Sequence, residues 1–94
     1  MKIKHYDIRV YGKVQGVFFR ASARHRALLL DICGFTKNEQ DGCVYIEAEG
    51  SEENTAIFID WCKQGPERAE VTKVEVKEGL LRNYKDFEVK RGIY

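Results

Sequence analysis

The 94-residue sequence predicts an α+β fold of the ferredoxin-like, split βαβ kind, a mainly antiparallel sheet with two helices on one face. Two observations lead there. The local periodicities run strand, helix, strand, strand, helix, strand, with a short strand closing the chain. Each longer strand also has one polar face, which suits a sheet covered on one side only. The length fits one domain spanning residues 1–94.

The elements follow in order. Residues 5–11, HYDIRVY, put Tyr6, Ile8 and Val10 on one face and Asp7 and Arg9 on the other, a half-buried strand. After a glycine loop, residues 21–31 hold good helix formers, with Ala23, Ala27, Leu28 and Leu30 near helical spacing. CGFTKN reads as a strand, EQDG as a turn, and residues 43–49 alternate again, so the two runs form a hairpin. Ser51 reads as a helix N-cap, with Glu52 and Glu53 where the helix dipole favours them. Ile57, Phe58, Trp61 and Cys62 supply the apolar stripe of that helix, and Gly65-Pro66 ends it. Val71, Val74 and Val76 predict a further strand, with Val71 out of phase. Phe87 and Val89 close the chain as a short last strand.

Composition narrows the function classes. Sixteen basic against fifteen acidic side chains give a net charge of +1, without the basic excess of a general nucleic-acid binder. No apolar run approaches the length of a membrane span, and the N-terminal residues lack a signal-peptide core. Cys33, Cys43 and Cys62 form neither a C-x-x-C pair nor a zinc-like pattern, and read as reduced thiols in a cytoplasmic protein.

The segment GKVQGVFFR, residues 12–20, joins the first strand to the first helix. A glycine loop at that junction can turn successive N–H groups inward as an anion-binding nest, next to the unpaired N–H groups of the helix start. Gly12 and Gly16 tolerate the positive φ angles such a nest uses. Arg20, in the first turn, opposes the helix dipole, and a bound anion would compensate it. An ordinary turn followed by a solvated arginine fits the same residues. The G-K-[ST] ending of a nucleotide P-loop is missing, so ATP binding is not implied.

A second segment, GFTKNEQDGCVYIEAEG, covers residues 34–50. With GKVQGVFFR it resembles the two signatures of the acylphosphatase family. Gly12, Val14, Gln15, Gly16, Val17, Phe19 and Arg20 match the first signature. Gly34, Phe35, Asn38, Gly42, Val44 and Gly50 match the second, and Asn38 follows Arg20 by 18 residues. Trp61, Gly65-Pro66 and the closing Phe87-Glu88-Val89 extend the likeness over nearly the whole chain. There are two departures. Thr36 stands where the family usually has a small apolar residue, which predicts a small stability cost if its hydroxyl is buried. Asp31 stands where the family usually has glycine at the end of the first helix.

The resemblance implies an enzyme that hydrolyses the carboxyl-phosphate bond of acyl phosphates, without metal or other cofactor. It implies phosphate binding by the N–H groups of Gln15, Gly16, Val17, Phe18, Phe19 and Arg20, and by the Arg20 side chain. Arg20 and Asn38 are the implied catalytic residues, with Asn38 orienting the attacking water. The implied partner is a small acyl phosphate, with inorganic phosphate as an inhibiting product. The chain is expected to act as a monomer, with no nucleic-acid or membrane partner. His5 and His25 are expected on solvated faces, as are Glu47, Glu49, Glu52, Glu53 and Asp60. Phe58 and Trp61 sit at core spacing rather than on a base-stacking platform.

Overall fold

The computed structural model describes residues 2–91. In chain order the elements are β1 (Ile3–Lys13), α1 (Phe19–Leu29), β2 (Cys33–Asn38), β3 (Val44–Ser51), α2 (Glu52–Gln64), β4 (Glu70–Gly79) and β5 (Phe87–Val89). The strands form one sheet in the order β4-β1-β3-β2-β5. Its neighbours pair antiparallel except β2 and β5, which run parallel. This is the expected ferredoxin-like α+β arrangement, with the short last strand added at the β2 edge. No helix among the described residues is long and apolar enough to cross a membrane.

Ile8, Val10, Val44, Ile46 and Ala48 make the buried face of the sheet, and Phe19, Ala23, Ala27, Phe58 and Cys62 close over it from the helices. Small Ala23 and Ala27 let α1 lie close to the sheet. Leu28, expected in the stripe, is exposed, as is Ile57 in α2, where Thr55 is buried instead. α1 begins at Phe19, two residues before the expected start, because Phe18 takes a left-handed N-cap conformation with φ 65°. At its other end Asp31 adopts φ 52°. The N–H of Ile32 donates to the Ala27 carbonyl at 2.9 Å and that of Asp31 to the Leu28 carbonyl at 3.5 Å, the paired bonds of a Schellman cap. Aspartate therefore fills the position usual for glycine. The Ser51 hydroxyl accepts the Asn54 N–H at 3.0 Å and caps α2 as expected.

The phase of Val71 has a simple cause. The β1–β4 register shifts by one residue between Tyr11 and Gly12, and the bulge returns Val71 to the side of Val74 against the core.

Thr36 is fully buried in β2, and its Oγ1 has no hydrogen-bond partner among the described residues. Thr36→Val keeps the shape and removes the unpaired hydroxyl, so it should stabilise the protein by about 1 kcal/mol, raising Tm by roughly 4–8 °C in a domain this small. A thermal melt checks this, and a lower Tm would show that the hydroxyl is satisfied in solution.

The face that the helices leave open is crossed by residues 80–86, which carry the chain from β4 at one edge to β5 at the other. This crossing corrects three expectations, because His5, Glu47 and Glu49 are buried rather than solvated. Glu49 accepts the backbone N–H groups of Arg82 and Tyr84 and faces His5 Nδ1 at 2.7 Å. Glu47 accepts the hydroxyls of Tyr84 at 2.6 Å and Tyr45 at 2.7 Å. The Tyr84 ring stacks beside His5 and meets Phe35 edge-on, with centroids 6.2 and 6.0 Å away. Burial pushes the Glu49 carboxyl upward, but the two N–H donors and His5 outweigh it and hold it below the usual carboxylate range. His25, Glu52, Glu53 and Asp60 are exposed as expected.

Candidate active site

The loop between β1 and α1 is fastened from both sides. Val14 and Val17 are buried in the core, and Phe19 packs against Trp61 with ring centroids 5.3 Å apart. The Gln15 side chain reaches across to the β2–β3 turn, where its Nε2 donates to the carbonyls of Glu39 and Cys43, each at 2.9 Å. Between these anchors Gly16 and Phe18 take φ values of 74° and 65°, two left-handed residues spaced by one. Glycine accepts that conformation freely, whereas in a bulky residue such as Phe18 it costs roughly 1–3 kcal/mol and is held by its surroundings.

α1 then starts without help. No side chain among the described residues caps it, and no acidic residue lies in its first turn. Its first N–H groups keep the partial positive charge of a helix start, and Arg20 adds a full charge to the same turn. Such a start suits an anion.

One cleft of about 280 Å³ gathers these features. It is lined by Val14, Gly16, Phe18, Phe19, Arg20, Ala21, Asn38 and Val89. Four of the residues named for phosphate binding, Gly16, Phe18, Phe19 and Arg20, meet Asn38 there. Val17 is buried beneath the loop and the Gln15 side chain is committed to the neighbouring turn, and neither residue is part of the lining. Asn38 ends β2 at 7% exposure, and its Oδ1 has no hydrogen-bond partner among the described residues. One Arg20 Nη1–H donates to the Lys90 carbonyl at 3.0 Å, just beyond β5. A guanidinium carries five N–H donors, so most remain to meet an anion.

Of the eight described residues that line the cleft, Arg20 alone is ionisable. Cys43, behind the adjoining turn, is no thiolate nucleophile: burial and the Asp41 carboxylate push its thiol up to about 11. A larger cleft of about 550 Å³ at the opposite end of β1 is lined by Lys2, Asp31, Glu52 and Glu53 among others, an acidic set unsuited to phosphate. On the open face, His5, Asp7 and Glu47 place one potential metal-ligand atom each within 4.8 Å of one another, a grouping that linear spacing conceals. Hydrogen bonds to neighbouring side chains already partner these groups.

Sequence reasoning missed three features here: the Lys90 carbonyl beside Arg20, the exposed Phe18 side chain, and Val89 on the rim. Only Phe18 left a local trace, as the first of two adjacent phenylalanines that cannot both enter the core.

The acylphosphatase family profile matches residues 6–89. An acylphosphatase of Methylococcus capsulatus is 37% identical over 92 residues, covering 97% of this chain and 100% of that one. An acylphosphatase of Archaeoglobus fulgidus is 47% identical over 83 residues, covering 88% and 93% of the two chains. The solved structure of an acylphosphatase from Coxiella burnetii superposes with a TM-score of 0.91 at 38% identity, over 94% of this chain and 93% of that one. Sequence and fold thus agree over nearly the full length of chains that share one name, and this chain belongs to the acylphosphatase family of hydrolases.

Proposed function

We propose that the cleft at residues 14–20 hydrolyses the carboxyl-phosphate bond of acyl phosphates by direct attack of water on phosphorus, without metal. The observation that carries this reading is that, among the described residues, an uncapped helix start, Arg20 and an unpartnered Asn38 oxygen converge on one cleft that holds no second ionisable group.

In this mechanism the N–H groups of residues 15–20 and the Arg20 guanidinium hold the phosphoryl oxygens. Asn38 Oδ1 accepts a hydrogen bond from the water and aims it in line with the bond to be broken. The water oxygen bonds to phosphorus as the phosphorus–acyl oxygen bond breaks, and its electron pair leaves on the carboxylate. A carboxylic acid has a pKa near about 4, so this leaving group departs without a general acid. An amide cannot remove a proton, and the water protons pass to phosphoryl oxygens. The products are a carboxylate and dihydrogen phosphate. Charge stabilisation and positioning then supply most of the acceleration, as in phosphoryl transfer generally. Inorganic phosphate occupies the same cradle and inhibits competitively. The three free cysteines fit a monomer working in the reducing cytoplasm.

The test is hydrolysis of benzoyl phosphate in the presence of EDTA. The wild-type chain should turn over. Asn38→Ala should lower kcat by about 10²-fold, the scale for losing one preorganised polar group, with phosphate affinity nearly unchanged. Its stability should hold or rise, because a buried unpaired oxygen is removed. Full kcat in Asn38→Ala would rule out the water-positioning role. Phosphate binding by calorimetry without any turnover would make the cleft an anion receptor instead.

A further inference from the structure

Phe18 is the one large side chain of the site that neither the core nor the phosphate cradle explains. It is 73% exposed, while adjacent Phe19 is 1% exposed. It is held in a left-handed conformation that bulky residues seldom adopt, and its ring joins none of the aromatic contacts among the described residues. Strain and exposure together, at the mouth of a cleft, are the pattern expected of a residue retained for a ligand.

What surrounds it defines that ligand. Phe18 shares the cleft with Arg20 and Asn38, and Ala21 and Val89 lie on the same lining. Val89 is 41% exposed, although it belongs to β5. Arg20 and Asn38 are the polar side chains of this lining, and its exposed side chains, Phe18, Ala21 and Val89, form an apolar rim. A phosphoryl group held at Arg20 must project its acyl substituent past that rim. Among the described residues, no charged group other than Arg20 lines the cleft to meet a carboxylate or ammonium on the acyl side.

We propose that the Phe18 ring, with Val89, forms the acyl subsite and selects acyl phosphates whose acyl group is apolar or aromatic. This deepens the proposed hydrolysis and rests on that reading. The ring touches the acyl group equally in the bound substrate and in the transition state, so its contribution falls on KM rather than kcat.

The test compares benzoyl phosphate with acetyl phosphate in the wild type, Phe18→Ala and Phe18→Leu. The two substrates differ in intrinsic reactivity, so the readout is the change in their kcat/KM ratio between variants. Phe18→Ala should shrink the benzoyl-over-acetyl ratio by about tenfold, through a higher KM for benzoyl phosphate. Phe18→Leu should recover most of it. An equal loss on both substrates would overturn the proposal and make Phe18 a loop-shaping residue only. Calorimetry with phenylphosphonate and methylphosphonate, which are not hydrolysed, reads the same contact without turnover. Phe18→Ala should weaken the phenyl compound about tenfold relative to the methyl one. A chain that hydrolyses neither substrate yet shows this difference would refute the hydrolysis and keep the subsite, whereas an unchanged phosphonate ratio would refute the subsite alone.

Discussion

Arg20→Ala should lower kcat/KM for benzoyl phosphate by on the order of 10³-fold or more, the scale found when an arginine is removed from a transferring phosphoryl group. The guanidinium meets the phosphoryl oxygens before reaction and more strongly as charge spreads over them, so KM should rise while kcat falls. The loss must not come from unfolding. Arg20 is partly exposed, and among the described residues its side chain ties to the Lys90 carbonyl at 3.0 Å. Losing that bond costs about 1 kcal/mol at most, and removing a cation from a helix start returns roughly 0.3–1 kcal/mol. The melting temperature should therefore barely move. Arg20→Lys separates charge from shape: an ammonium keeps the charge but lacks the planar fork, so its activity should fall between those of the alanine variant and the wild type. Steady-state kinetics and a thermal melt on all three proteins decide the matter. A kcat/KM for Arg20→Ala within a few-fold of wild type would remove Arg20 from the mechanism.

Gly34→Ala should be the most damaging glycine-to-alanine change among the described residues. Gly34 has φ +143°, and a Cβ built there would lie 1.8 Å from the Glu47 carbonyl oxygen and 2.7 Å from its carbon. Both are backbone atoms of the adjacent strand, so no rotamer change relieves the clash. The same residue is paired on both sides, with Ala48 in β3 and Phe87 in β5, and its N–H donates to the Asp86 carbonyl at 2.8 Å. Spreading those strands would open the centre of the sheet. A loss of about 4 kcal/mol is expected, a large part of the 5–15 kcal/mol that holds a typical domain together. Urea denaturation measures it directly. A midpoint close to wild type would mean that β2 and β3 can separate at little cost.

Much of this architecture is legible locally. β2 spans the predicted Cys33–Asn38, and Ser51 caps α2 as its sequence context suggests. These are features of period and capping, set by residues within a turn or two of one another. The misreadings share one cause, contact with distant chain. Glu47 and Glu49 show the alternation of an outward-facing strand, and they do face away from the helices. Alternation reports which face a residue takes, not what later covers it, and here residues 80–86 do so. Val71 looked out of phase because its phase depends on a bulge in pairing with β1. Leu28 and Ile57 fit a helical stripe on spacing alone, but Ala23 and Ala27 centre the buried stripe of α1, and Thr55, Phe58 and Cys62 that of α2. At the cleft, the loop, Arg20 and Asn38 stand out as motif residues. The rim does not, because Val89 and the Lys90 carbonyl arrive through a parallel pairing made at the far end of the chain.

That late arrival also governs how the molecule assembles. The tie from Arg20 to Lys90 joins residues 70 positions apart, and β5 can reach β2 only after residues 80–86 have crossed the sheet. Chain entropy must be lost before such distant pairings return any stabilisation, so proteins rich in them fold in roughly milliseconds to seconds rather than microseconds. Refolding of this small chain should accordingly be slow for its length. Helix signal should return before hydrolytic activity, because the rim of the cleft closes with the last strand.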